Sequence, residues 1–500
     1  MAINYIPNDP LATCVTLRKE RARQERGTGV ARFRYVPHGP QGVYPPGTAG
    51  FLFWQSREAA LNAVALFERL AGSRLRSWAR SPSRKVLDLV PNAGIDLNAY
   101  YDGESISFFE HTTQGTTTYS GASTDVVAHE AGHALLDTIH PDLWFSSFTE
   151  TNAFHEAFSD CIAILTALAD RETRRRVAKQ IRARNCVETT AEDLAAGVRR
   201  AKGPSHPAAK PRQAKNDYRW RLPTTLPPIG PPDLLTSEIH SFGRVFTGCF
   251  WDTFLNILGS GKTEKAIWTA ARITGKLLVG AAAQAPESAR FFQAVGRTMV
   301  LLDQSLHAGA HGQAIHDGFG AHGIALGSSG MLAPVAAVAG KAPALGRGRA
   351  TVGRATLDDV RRRIGASPGA RITVRQAVIG GWQAARLLHH REVSLSRLDR
   401  RLRGVVAIVP EPILVGEVDK TAAILGGLPE PHATADEVYA YVQSILSIDR
   451  IAFTGTGKRP LETPSAKARD QRRRLPTHLI RKEGEKRVLR RVRFACAATD

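Results

Sequence analysis

His129-Glu130-Ala131-Gly132-His133 is a stretch whose residue types and spacing declare a chemistry. Two histidines four apart share one face of a helix, one turn above the other, so their imidazoles can converge on one metal ion. The glutamate beside the first can reach a metal-bound water. A third ligand is offered downstream, in Asn152-Ala153-Phe154-His155-Glu156-Ala157-Phe158-Ser159-Asp160. His155 and Glu156 could each bind a metal. Glu156 and Asp160, however, lie four apart on a common helical face. Glu156 can therefore ligate while Asp160 accepts the other ring N–H of a metal-bound histidine and fixes its tautomer. Two histidines and a glutamate with an open fourth position make a catalytic zinc site.

These side chains need rigid elements to aim them. Ser123 or Thr124 is the expected N-cap of the metal helix, whose apolar surface is Val126, Val127, Ala131, Ala134 and Leu135, and His140-Pro141 ends it. A second helix is predicted from Asn152 to about Leu168, with Phe154, Phe158, Ile162 and Leu165 at helical spacing. Upstream, Arg57–Leu70 reads as an amphipathic helix and Lys85–Val90 as a strand. Asp102-Gly103 is a hairpin turn signal between Asn98–Tyr101 and the return strand Ser105–Phe109, so the hairpin edge should border the cleft. Downstream, Arg171–Gly203 is expected to be helical and Pro204–Pro232 to be loop. Ser237–Gly243 opens a helix with a stripe of Phe242, Val245, Phe246, Cys249, Phe250 and Phe254. Further helical patterns follow at Thr263–Gln284, Glu287–Leu306 and Gln313–Gly323.

Five hundred residues with 43% hydrophobic content and a formal charge of +21 imply two or three domains rather than one small one. We expect an N-terminal extension over 1–55, a catalytic domain over 56–326, a Gly/Ala/Pro-rich linker over 327–353, a smaller α/β accessory domain over 354–453 and a disordered basic tail over 454–500. The five cysteines show no metal-site spacing and no disulfide framework, and Cys161 and Cys249 fall in apolar helical patterns as buried thiols. No apolar run approaches the ~20 residues of a membrane span. No classical secretory signal is visible, so a soluble cytoplasmic protein is expected, with non-classical export the other route.

The motif order resembles the thermolysin family of gluzincin metallopeptidases. Asp125-Val126-Val127-Ala128-His129-Glu130 is similar to that family's entry into its metal helix, and Glu156-Ala157-Phe158-Ser159-Asp160 to its ExxSD motif. Asn98-Ala99-Tyr100-Tyr101 resembles the edge strand that hydrogen-bonds substrate backbone. Pro211-Arg212-Gln213, followed by Asn216-Asp217, resembles the loop whose arginine holds a substrate carbonyl. His240, with Gly243 soon after, resembles the histidine that stabilises the tetrahedral intermediate. The likeness spans about residues 60 to 325. It implies an α+β, two-lobed catalytic domain: a β-rich N-lobe carrying the metal helix and a helical C-lobe. It also implies Zn2+ on His129, His133 and Glu156, Asp160 behind a ligand, and Glu130 as general base with His240 and Arg212 as catalytic partners. Asn98 and Ala99 would pair with a peptide or protein substrate.

Three departures accompany the likeness. No tyrosine lies between His133 and Glu156, where the family has an oxyanion donor. The carboxylate that orients the family's histidine has Glu238 and Asp233 as candidates here, at a different spacing. An acidic residue of the family's calcium site falls on Ala167, which leaves Asp125 to serve the first helical turn. The missing tyrosine motivates an alternative: a catalytically weak zinc-containing binding or scaffold protein, tethered to nucleic acid or another anionic surface by basic residues such as Arg472-Arg473-Arg474 and Arg490-Arg491.

Overall fold

The computed structural model of this chain describes residues 1–78, 84–327, 354–368, 370–379, 382–418, 421–426, 431–453 and 475–496. The architecture is α+β. The first 55 residues, expected as an irregular extension, carry regular structure. β1 (Ala2–Tyr5) and β2 (Arg18–Arg21) form an antiparallel ribbon, and β3 (Arg32–Tyr35) joins a larger sheet. Each of these strands is four residues long, too short for alternation to stand out, yet Ile3, Tyr5, Ala31 and Phe33 are buried in the main core. α1 (Ala49–Ala71) starts earlier than its amphipathic stripe suggests, capped by the Thr48 hydroxyl, which accepts from the Phe51 N–H, and it closes on Gly72 in the left-handed conformation. β4 (Val86–Val90) lies parallel to β3, and β5 (Ala99–Tyr101) and β6 (Ser105–Phe108) form the expected hairpin around Gly103, with β6 parallel to β4. β7 (Glu110–Thr113) and β8 (Thr116–Tyr119) make a small ribbon beside them.

α2 (Thr124–Ile139) and α3 (Thr149–Ala169) cross next to this sheet, buried along nearly their whole lengths. Gly132 lets them touch: a Cβ there would stand 2.7 Å from Ser159 Cα. Ser123 has the extended backbone of an N-cap, but its hydroxyl donates to Asp9 Oδ2 (2.9 Å) and to Asp125 instead of receiving a helix N–H. Asp125 in turn accepts from the Val126 and Ala191 N–H groups, which anchors the start of α2 to the N-terminal segment and to a downstream loop.

The expected helix over Arg171–Gly203 is two helices, α4 (Arg171–Val177) and α5 (Glu192–Lys202), separated by β9 (Thr189–Thr190). Asp170 caps α4 by accepting from Thr173 N at 2.8 Å. Between α4 and β9, Cys186 is disulfide-bonded to Cys14, with a Cα–Cα distance of 6.0 Å. The odd cysteine count concealed this bond, since it joins residues 172 apart and leaves Cys161, Cys249 and Cys496 as buried thiols. β10 (Arg212–Gln213) pairs with β9, and α6 (Ile239–Leu258), α7 (Glu264–Gln284), α8 (Phe291–His307) and α9 (Gly312–Ala321) form the helical part, packed on α3 through Phe154, Phe246, Phe291 and Phe292.

The C-terminal unit begins with α10 (Arg354–Arg363) and continues with β11 (Thr373–Ile379), β12 (Trp382–Ser394), β13 (Val405–Val418), β14 (Thr421–Gly426), α11 (Pro431–Ser447) and β15 (Ile451–Ala452). It does not end near 453. β16 (His478–Glu483) and β17 (Lys486–Arg491) complete its seven-stranded sheet, β17 lying parallel to β13. β18 (Phe494–Ala495) then leaves that sheet and pairs with β5, giving the order β18-β5-β6-β4-β3. The basic tail is therefore structured over 475–496. Its charge pattern hid strands in which Arg481 and Arg487 are exposed while Leu479, Val488, Leu489 and Arg491 are buried. Of the expected linker over 327–353, all but residue 327 lies outside the described residues, as do Arg472–Arg474. Among the described residues, no helix is long and apolar enough to cross a membrane.

Candidate metal and peptide site

α2 presents His129, Glu130 and His133 on one face, as their spacing requires, and one ligand atom from each lies within 4.8 Å of the others. α3 brings Glu156 to the same point. Its Oε2 is 3.3 Å from His129 Nε2 and 3.6 Å from His133 Nε2. These two nitrogens and both oxygens of Glu130 and of Glu156 are buried without a hydrogen bond. Burial of that many polar atoms is costly unless another partner, such as a cation, takes their lone pairs. Two imidazoles and a carboxylate around an open position are the donor set that suits zinc.

The outer ring nitrogens are held from behind. Asp160 Oδ1 is 2.8 Å from His129 Nδ1, so the Nε2 of His129 faces inward. Arg212 Nε donates to the same Asp160 oxygen at 3.0 Å. Burial alone would raise the Asp160 carboxyl, but Arg212 and His129 hold it below the usual range. His155, considered as a ligand, instead pairs its Nδ1 with His133 Nδ1 at 3.0 Å, with the ring plane tilted beside that of His133. Its place next to Glu156 in sequence points its ring to the neighbouring side of α3. Glu130 is fully enclosed; burial pushes its carboxyl up to about 8, with His129 opposing and Glu156 adding to the rise.

His240, at the first turn of α6, reaches the cluster from the other side, its Nε2 3.2 Å from Glu156 Oε2. Its Nδ1 lies 2.7 Å from Glu238 Oε1, which settles the orienting carboxylate in favour of Glu238; Asp233 pairs with Lys210 instead. Glu238 also caps α6 through Oε2, accepting from the N–H groups of His240 and Ser241 at 3.0 Å each. Against burial, His240 and these N–H groups hold the Glu238 carboxyl at about 2, and Glu156 and Glu238 raise His240. Gly243 allows α6 this approach, since a Cβ there would be 2.8 Å from the Ala153 carbonyl oxygen of α3. No tyrosine stands between His133 and Glu156. The nearby cation from the C-terminal unit is Arg491, fully enclosed, which donates to Asn152 of α3 and to the Tyr441 hydroxyl.

The peptide edge is where sequence reading stopped short. Asn98 turns its own Oδ1 onto the Ala99 N–H at 2.9 Å, and the outer edge of β5 is taken by this chain's own C-terminal strand. Phe494 stacks on His133 (ring centroids 4.7 Å) and on His155 (4.0 Å). Beside Cys496 opens a pocket with Leu194, Val198, Ile229 and Pro232 among its lining. A sequence signal for this was the apolar run from Phe494 to Ala498 that follows Arg490–Arg493. A scan against protein-family models finds no match to this chain, and a search of curated proteins finds none.

Proposed function

We propose that this chain is a zinc-dependent metalloendopeptidase of thermolysin-like, two-lobed architecture, with the cleft between the β5–α2 side and the α6 side. The observation that carries the reading is the convergence of His129 Nε2, His133 Nε2 and Glu156 Oε2 beside Glu130, all buried and lacking hydrogen bonds. His129, His133 and Glu156 would hold the ion, which when bound supplies Lewis-acid polarisation of a carbonyl and a more acidic water. Glu130 accepts the proton of the attacking water and delivers it to the leaving amine. His240, steadied by Glu238, donates Nε2–H to the oxygen on which negative charge develops, and Arg212, steadied by Asp160, holds the next carbonyl along the peptide. Ala99 pairs with the substrate backbone as an added strand does.

A peptide library incubated with the zinc-loaded chain tests this reading. We expect chelator-sensitive endoproteolytic cleavage that falls about 100–10,000-fold in Glu130→Gln with zinc content unchanged. Undiminished cleavage by that variant would remove the mechanism. The second reading, a zinc-containing binding protein with little turnover, is favoured by one observation, the pairing of β5 with Phe494–Ala495. A tether through Arg490 or Arg491 gains nothing, because Arg490 pairs with Glu483 and Arg491 is buried. The cytoplasmic expectation and the Cys14–Cys186 bond point in opposite directions, since disulfides persist mainly in oxidising compartments.

A further inference from the structure

The last described residues lie in the cleft as an extended peptide. Phe494 and Ala495 run antiparallel to β5, opposite Tyr101 and Tyr100, and the Cys496 N–H donates to the Ala99 carbonyl at 2.8 Å. Phe494 is fully buried, and Ala495 and Cys496 are buried as well. Besides its two histidine contacts, the Phe494 ring meets Trp144 edge-on and lies 3.9 Å beneath the Arg491 guanidinium.

The carbonyls on either side of one peptide bond are held by separate side chains. The Ala495 oxygen accepts from His240 Nε2 at 3.0 Å, and that same nitrogen is 3.2 Å from Glu156 Oε2. His240 Nε2 thus links the Ala495 carbonyl to the Glu156 end of the cluster. The Cys496 oxygen accepts from Arg212 Nη1 at 3.2 Å. Between them, the amide nitrogen of the same bond is fixed to β5. Edge strand, His240 and Arg212 hold three consecutive backbone groups in the way that a bound substrate would be held.

We propose that the Ala495–Cys496 bond is this chain's own substrate, hydrolysed in cis to release the segment that begins at Cys496. The proposal rests on the peptidase reading above. Water adds to the Ala495 carbonyl carbon and the C–N bond to Cys496 breaks. Ala495 keeps the new carboxylate, and the Cys496 amine takes the proton that Glu130 carries over from the water. While Phe494–Ala495 lie on β5, its outer edge is closed to other peptides. Delivery in cis is built in: β17 ends at Arg491, only three residues before Phe494, and α11 is fastened to the helical part by Glu437 with Arg290 at 2.7 Å. A tethered segment of this kind meets the site at high effective concentration.

The test uses the full chain as wild type, Glu130→Gln, Glu130→Gln/Phe494→Ala and Glu130→Gln/Cys496→Pro. Intact mass after zinc addition should show wild type ending at Ala495, at a rate unchanged by about tenfold dilution, and Glu130→Gln ending at Asp500. Independently of turnover, hydrogen exchange in Glu130→Gln should show protected amides at Ala99–Tyr101 and at Cys496. Exchange at Ala99–Tyr101 should rise at least about tenfold when Phe494 loses its ring or when proline removes the Cys496 N–H. Wild type that cleaves library peptides yet keeps Asp500, or that is cut at another bond, overturns the proposal and leaves the peptidase reading standing. Exchange at β5 that is equal in all three inactive variants overturns the docking itself. Protection at β5 without cleavage of either the tail or the library defeats the peptidase reading and with it the self-cleavage.

Discussion

The proposed metal face and the proposed peptide face of this cleft are built in different ways. The metal face comes from two helices adjacent in sequence, α2 and α3, and all of its inward groups fall between His129 and Asp160. The peptide face draws on β5, β10, the first turn of α6 and β18, segments spread from Asn98 to Cys496. A site assembled within one helix pair is set by local periodicity and one close contact, Gly132 against Ser159. A site assembled from distant segments depends on the whole fold and can be filled by any part of the chain that arrives there.

The two faces can be separated by mutation. On the peptide face, His240→Ala should lower kcat about 100–1,000-fold while zinc stays bound, because the loss falls on an oxygen that becomes charged in the transition state. If zinc is lost together with activity, the two faces are one unit and the distinction fails. Asp160→Asn should act on the metal face, weakening zinc affinity about 10–100-fold by releasing His129 Nδ1, and competition with a chelator reads this directly. An affinity equal to wild type would reduce Asp160 to a partner of Arg212.

The smallest effect is on stability. Glu238 is held at about 2 in the folded chain, below the ordinary 4.5. A depressed carboxyl stabilises the fold fully above the unfolded value and loses that contribution as pH falls from about 4.5 towards about 2. Glu238→Gln should therefore melt a few degrees below wild type at pH 6, with the gap closing as pH falls through that window. A gap that stays constant with pH would mean the carboxylate acts through shape alone.

Legibility followed the same division. The helical face of His129, Glu130 and His133, the partner pair Glu156 and Asp160, and the hairpin at Gly103 all follow from spacing, because their geometry is local. His240 and Arg212 could be found only by motif order, since nothing within a few residues of either points to the cluster. The role of His155 was hidden because a histidine beside a ligand reads equally well as a ligand. The Cys14–Cys186 bond was missed because its partners lie 172 residues apart. The β16–β17 hairpin pairs locally, but its lysines and arginines obscured a buried pair, Val488 and Leu489, that follows no simple alternation. The pairing of β18 with β5 joins residues nearly four hundred positions apart, beyond any periodicity argument.

The buried, hydrogen-bond-free atoms of His129, His133 and Glu156 are proposed as a zinc site. Metal analysis of the purified full chain after dialysis against zinc, alongside His133→Ala, tests it most directly. Wild type should hold one zinc per chain and the variant should retain none. A wild type that holds no zinc, or a variant that keeps it in full, would contradict it.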